Sequence, residues 1–202
     1  DKVPQALEQL GYKVSLIKPE NLENEDLSRF DAIITGVRAF NVIKEVQYQN
    51  QRLFDYVENG FPMVVQYNKD EEDLITKEVA PDSLHLSYNR VTVETAEPKF
   101  LTPKHPVLNE PNTITGTDFE GWVQERGLYF PDRWDDSFTP IISWHDPGES
   151  PKKGGLLISH HGKGTFVYTG IAFFRQLPAG VPGAFKLFAN IVSYGEVEKS
   201  RK

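Results

Sequence analysis

Apolar and polar positions follow their clearest pattern in the last quarter of the chain. Two apolar-rich runs, 156–160 and 165–169, flank Gly162-Lys163-Gly164, and glycine reaches the positive φ that a tight hairpin turn requires. Beyond them, four apolar residues have the spacing of one helix face: Phe185, Phe188, Ala189 and Val192. The pattern predicts a β-hairpin, a polar and aromatic loop over 173–180, and a helix.

The N-terminal pattern predicts a helix followed by a buried strand. Asp1 is a good N-cap, Leu7 and Leu10 form an apolar stripe, and Gly11 suits a C-cap. Residues 13–17 then read as a strand. A helix that leads directly into a buried strand is typical of a βαβ unit without its first strand. We therefore expect this chain to be a piece of a longer protein, the alternative being a natural start at a helix.

The middle of the chain alternates between strand and helix patterns. Residues 31–35 form a short apolar run of the kind found in parallel strands covered on both faces. Residues 42–59 have helical spacing and end before Gly60, and 62–66 read as the next buried strand. This alternation predicts an α/β fold, a three-layer sandwich with a mostly parallel sheet.

Composition narrows the functional classes. At 202 residues with 39% hydrophobic content, the chain can bury a full core as a single domain over 1–202. The proline-rich segment 81–140 is predicted to be an irregular insertion over the sheet edge. A net charge of −7 argues against nucleic acid as a partner, and no apolar window is long enough for a membrane span. The absence of cysteine excludes disulfides, thiol catalysis and thiolate metal sites.

Several segments together resemble a known family. They are 34–41, 56–60, 64–68, 105–109, 118–130 and 154–194. In these segments the chain resembles the C-terminal domain of large PIG-L (LmbE-like) deacetylases of Bacteroidetes, a domain with a class I glutamine amidotransferase-like, flavodoxin-like fold. The resemblance implies a glycine-rich strand end before Asp1 and a zinc-dependent N-deacetylase as the parent protein. It also implies the deacetylase domain of the same parent chain as a partner, and a periplasmic or other extracytoplasmic location.

The residues needed for the catalysis of these families are missing from this chain. An amidotransferase uses a cysteine nucleophile after a core strand, and the comparable strand end here is Val65-Gln66-Tyr67-Asn68. No Gly-x-Ser-x-Gly motif is present, and the His-Pro-Asp-Asp-type zinc motif of the deacetylases is absent. His145-Asp146-Pro147-Gly148-Glu149 has the wrong order and reads as a turn. We therefore predict no catalytic residue, metal or cofactor in this segment.

Two groups of residues are candidates for binding a ligand. The loop 118–131 carries Trp122 among carboxylates and Arg126, and aromatic rings with charged neighbours suit sugar recognition. The alternative is a buried Glu–Arg pair in a loop whose aromatics fill the core. The second group follows core strands, where open α/β sheets bind ligands, although its amides could equally cap loop backbone. The complete candidate set is Arg38, Asn41, Gln66, Asn68, Trp122, Glu125, Arg126, Arg175 and Gln176.

The sequence thus predicts a non-catalytic accessory domain of a larger deacetylase-like protein, which binds carbohydrate or positions a neighbouring domain. One rival is a carbohydrate-active hydrolase using carboxylates of the 118–136 loop. Another is a purely structural or oligomerisation domain. A binding module should leave an open pocket at the candidate residues, whereas a scaffold should bury and pair them beside an exposed apolar patch.

Overall fold

A five-stranded mixed sheet forms the centre of the molecule in the computed structural model, which describes residues 2–72, 74 and 77–201. The strands are β1 Ile33–Thr35, β2 Pro62–Gln66, β3 Leu84–His85, β4 Asn89–Val91, β5 Lys99–Phe100, β6 Gly127–Phe130, β7 Arg133–Trp134, β8 Thr139–Pro140, β9 Ile142–Ser143, β10 Leu156–His161 and β11 Gly164–Thr169. The helices are α1 Val3–Gln9, α2 Ala39–Val42, α3 Lys44–Tyr48, α4 Asn50–Glu58, α5 Phe173–Gln176 and α6 Pro182–Ser200.

The order of the central sheet is β1-β2-β11-β10-β8. The pairings of β2 with β1 and with β11 are parallel, whereas β10 pairs antiparallel with both β11 and β8. The predicted hairpin and C-terminal helix are confirmed. The sheet is parallel on one side of β11 and antiparallel on the other, so it is less parallel than predicted.

Apolar cores cover both faces of this sheet, as an α/β fold requires. On one face, Val64 and Val167 pack in a core with Leu187 and Ile191 of α6. On the other face, alternate strand residues point into a second core with α4: Met63, Val65, Phe166 and Tyr168. The α/β class is confirmed, and the two cores explain why every residue of β2 is buried.

The predicted strand over 13–17 is wrong, because this segment pairs with no strand in the described part of the chain. It is held by side chains instead of by a ladder. The hydroxyl of Tyr12 lies 2.7 Å from that of Ser193 on α6, and Val14 packs against the first core. Leu16 is 77% exposed. The alternating pattern was real, but it could not reveal whether a partner edge was available.

The single helix predicted over 42–59 is also wrong, since three short helices replace it. Ile43 is extended (φ −119°, ψ 101°) and separates α2 from α3, and Gln49 separates α3 from α4. Just before the first break, the side chain of Asn41 in α2 binds the backbone of Lys69 beyond β2. Gly60 (φ 115°) then turns the chain into β2.

Segment 81–140 contains more regular structure than its prolines predict. Three short antiparallel pairs lie largely within it: β3 with β7, β4 with β6, and β5 with β9. Its last strand, β8, joins the edge of the central sheet. Among the described residues, no helix has both the length and the apolar character needed to cross a bilayer.

Candidate functional site

The candidate site begins at the turn after β1. Arg38 has a left-handed backbone (φ 58°), which is uncommon for a residue other than glycine and costs energy. Its N–H donates to the carbonyl of Tyr67 just after β2, at 2.8 Å. This bond joins the carboxyl ends of β1 and β2, which is where open α/β sheets bind ligands.

Three predicted amides form the buried base of this region. Asn68 is fully buried, accepts from the N–H of Phe40 at 2.9 Å and donates to the carbonyl of Gln66 at 3.0 Å. Asn41 accepts from the N–H of Lys69 and donates to its carbonyl, and Gln66 donates to the carbonyl of Thr35 at 3.1 Å. These amides bind backbone groups and so support the site from below. This agrees with the alternative stated above, in which the amides cap loop backbone.

Above this base three aromatic side chains contact one another at tilted angles, with the central one, Tyr67, buried; we call them the aromatic row: Tyr129, Tyr67 and Phe174. The Tyr67 ring centroid lies 5.4 Å from that of Tyr129 and 5.5 Å from that of Phe174. A cation closes each end, because Lys69 Nζ is 4.9 Å from the Tyr129 centroid and Arg175 Cζ is 4.8 Å from that of Phe174. Tyr129 is itself held at φ 52°, so two strained residues flank the row.

The charges around the aromatic row are arranged in pairs. Glu71 lies 3.3 Å from Lys69 Nζ and 3.6 Å from Arg38 Nη2. At the other end Glu125 accepts a hydrogen bond from Arg175 Nε at 2.5 Å. Burial and the neighbouring Tyr129 raise the pKa of Tyr67, although the three nearby cations act against that rise. These three cations, Arg38, Lys69 and Arg175, therefore lie near enough to Tyr67 to affect its pKa.

An open hollow borders the aromatic row. It has a volume of about 770 Å³ and is lined by Asp70, Glu71, Glu72, Leu74, Lys77 and Tyr88. Tyr88 is 64% exposed and its ring meets that of Tyr129 edge-on at 6.0 Å. We call the aromatic row, its flanking charges and this hollow the carboxyl-edge cleft.

Trp122 and Arg126 lie elsewhere, in a buried cluster. The Trp122 indole N–H donates to the carbonyl of Asp118 at 2.9 Å. Arg126 donates to the carbonyls of Ala96 at 3.0 Å and Phe119 at 2.5 Å, and its guanidinium stacks near the rings of Phe119 and Trp122. Burial lowers the pKa of Arg126 to about 10. For these two residues the geometry favours the core-filling alternative.

Gln176 is also buried, and its side-chain amide forms hydrogen bonds with the loop that carries Glu125. It accepts from the N–H of Val123 at 2.8 Å and donates to the carbonyls of Val123 and Glu125. Of the predicted set, Arg38, Glu125 and Arg175 therefore border the carboxyl-edge cleft, and the other six support the fold around it.

Several residues of the cleft were not among the predicted binding residues: Tyr67, Lys69, Glu71, Tyr88, Tyr129 and Phe174. Two of them have a signal in the sequence: Tyr67 lies between Gln66 and Asn68 at the strand end that the sequence predicts to line a pocket, and Lys69 follows directly. Within the described residues, no group of three or more histidines and carboxylates is placed to hold a metal ion.

Comparisons with known proteins support the fold. No family model and no curated protein matches the chain. Among solved structures, it is similar to the cytoplasmic protein STM3548 of Salmonella typhimurium (14% identity, TM-score 0.61, 94% of this chain and 84% of that one). It is also similar to STM1381 of the same species (12%, TM-score 0.59, 94% and 84%). A third is the β-galactosidase of Rahnella sp. R3 (12%, TM-score 0.55), where 95% of this chain matches only 26% of the enzyme.

Proposed function

We propose that this chain is a non-catalytic accessory domain that binds carbohydrate in the carboxyl-edge cleft. The observation that carries the proposal is the open hollow lined by the exposed ring of Tyr88, beside an aromatic row that has a cation at each end. Aromatic faces stack on the C–H surface of a sugar ring, while carboxylates and cations hydrogen-bond its hydroxyl groups. Tyr88 and Glu71 both line the hollow and contact the row or its cations.

The finer fold and the parent protein belong to the same proposal. We infer a three-layer, flavodoxin- and amidotransferase-like arrangement, supported by the two apolar cores on opposite faces of the sheet. The parent would be a deacetylase-like protein, exported from the cytoplasm, whose deacetylase domain this chain accompanies. One structural neighbour is a β-galactosidase of which the chain matches 26%, which supports a fold that serves as part of a larger carbohydrate enzyme.

A purely structural role is the second candidate. Its support is the burial of Asn68, Trp122 and Arg126, together with two exposed apolar side chains, Leu16 and Val42 (77% and 63%). Domain packing or self-association would cover such residues. The hydrolase alternative has less support, because Glu125 is held in an ion pair with Arg175.

The experiment is a thermal-shift and calorimetric screen of amino sugars, N-acetylated sugars, neutral hexoses and short glycans. A ligand at about 100 times its dissociation constant adds about 2.7 kcal/mol of stability, and each kcal/mol raises Tm by about 2–4 °C. Tyr88→Ala should remove the sugar-dependent rise. Tyr48→Ala is the matched control, because Tyr48 is 67% exposed on α3 and Tyr88 is 64% exposed.

Two results would contradict the proposal. One is the absence of a shift with any sugar in a well-folded sample, which would favour the structural role. The other is an equal loss of the shift in Tyr48→Ala and Tyr88→Ala, which would separate the binding from the cleft.

A further inference from the structure

One carboxylate in the carboxyl-edge cleft bridges two cations. Glu71 directs Oε1 to Lys69 Nζ at 3.3 Å and Oε2 to Arg38 Nη2 at 3.6 Å. Each carboxylate oxygen of Glu71 therefore contacts one cation. A bound ligand with a carboxylate could form the same pair of contacts.

The two cations are fixed from below, whereas the carboxylate is less restrained. The backbone of Arg38 is held by its hydrogen bond to Tyr67, and that of Lys69 by the side chain of Asn41. Lys69 Nζ is further held over the ring of Tyr129. Glu71 lines the open hollow, and its side chain is the most exposed of the three, at 37% against 32% for Arg38 and 22% for Lys69. Of these three residues, Glu71 is thus the one that faces the hollow from which a ligand would enter.

We infer that the cleft takes an acidic sugar, a hexuronic acid, whose carboxylate replaces that of Glu71 between Arg38 and Lys69. The sugar ring would then lie in the hollow against the exposed ring of Tyr88, which contacts the end of the aromatic row. This inference rests on the proposed function and narrows its ligand class. A carboxylate fits better than a phosphate dianion, because Asp70 and Glu72 line the same hollow and repel a second negative charge more strongly.

Under this arrangement Glu71 competes with the ligand, so removing its charge should strengthen binding. A residue that contacts the sugar directly or only supports the fold would give the opposite result or none. Glu71→Gln keeps the size of the side chain and removes the charge. We expect it to bind glucuronic acid about three- to tenfold more tightly than the unaltered chain, the range for releasing one or two half-exposed ion pairs.

The test is a calorimetric titration of four forms of the full chain with glucuronic acid, glucose and glucose 6-phosphate. The forms are the unaltered chain, Glu71→Gln, Glu72→Gln and Arg38→Gln. Glu72→Gln removes the same charge one residue away, where no ion pair with a described residue is present, and should tighten glucuronic acid less than twofold. Arg38→Gln should abolish the preference for glucuronic acid over glucose. Raising salt from about 0.1 M to about 1 M should weaken glucuronic acid binding and leave glucose unaffected.

The outcomes separate this inference from the proposed function. Equal gains in Glu71→Gln and Glu72→Gln, or glucose binding without a preference for glucuronic acid, would overturn the inference and leave carbohydrate binding intact. A preference for glucose 6-phosphate alone would overturn the carboxylate class. No binding of any sugar by any folded form would overturn both. Melting curves of all four forms establish that each is folded.

Discussion

The carboxyl-edge cleft and the buried Trp122–Arg126 cluster have nearly the same composition and opposite environments. In the cleft, Arg175 stacks on Phe174 and pairs with the carboxylate of Glu125. In the cluster, Arg126 stacks on Trp122 but donates to backbone carbonyls. The Arg175–Glu125 pair of the cleft keeps part of its surface in solvent, whereas the cation of the cluster is buried and holds loops together.

The boundary between these two regions passes between consecutive residues. Glu125 faces the cleft and Arg126 the cluster, and in the same way Arg175 faces the cleft while Gln176 is buried against residues 123 and 125. Successive side chains leave the backbone in different directions, in the loop that holds Glu125 and Arg126 as well as in α5, which holds Arg175 and Gln176. An arginine with aromatic neighbours is therefore not evidence of a binding site until the type of its hydrogen-bond partner is known.

The largest expected effect is on the buried side of this comparison. Trp122→Ala should lower the free energy of unfolding by about 3–5 kcal/mol, because it removes a fully packed indole and leaves a cavity. Tyr88→Ala, in the cleft, should change it by less than about 0.5 kcal/mol. Urea unfolding of both variants measures the difference. Similar losses of unfolding free energy in the two variants would mean that Tyr88 is as important to the core as Trp122. The contrast between an exposed cleft and a buried cluster would then be wrong.

Arg126→Met is expected to have a somewhat smaller effect. It should lower the free energy of unfolding by about 2–3 kcal/mol, because the carbonyls of Ala96 and Phe119 lose their donor inside the protein. Arg126→Lys is the control, since it keeps the charge but loses the planar guanidinium that reaches two carbonyls. Its free energy of unfolding should lie between those of the unaltered chain and Arg126→Met. A stability of Arg126→Met close to that of the unaltered chain would show that these two bonds contribute little.

The sequence predicted those parts of the fold that depend on local pattern. The hairpin, the C-terminal helix and the two strands after which Arg38 and Asn68 lie all followed from apolar periodicity and glycine positions. The strand over 13–17 did not form, because alternation describes a segment and does not reveal whether a partner edge exists. The helix over 42–59 is interrupted at Ile43, whose backbone is extended, and at Gln49, and helical spacing alone did not reveal either break.

The candidate site was predicted only in outline. Strand order brought Arg38, after β1, and Arg175, after β11, to one edge, which parallel topology makes foreseeable, whereas Glu125 reaches it from outside the central sheet through its ion pair with Arg175. Whether an amide or arginine binds backbone or faces solvent depends on which way the following loop turns. That turn is decided by the left-handed backbone of Arg38 and Tyr129, and bulky residues in this conformation leave little signal in a single sequence.

The smallest expected effect tests the boundary itself, at two adjacent residues. Arg175→Met should cost about 1 kcal/mol, because Arg175 is partly exposed, at 36%, although its partner Glu125 is 15% exposed, and that cost should shrink at high salt. Gln176→Met should cost about 1–3 kcal/mol, because the N–H of Val123 and the carbonyls of Val123 and Glu125 lose a buried partner. Thermal and urea unfolding at low and high salt compare the two variants. If Arg175→Met were the more damaging, the ion pair with Glu125 would be part of the core, and a ligand could not exchange it without unfolding the loop.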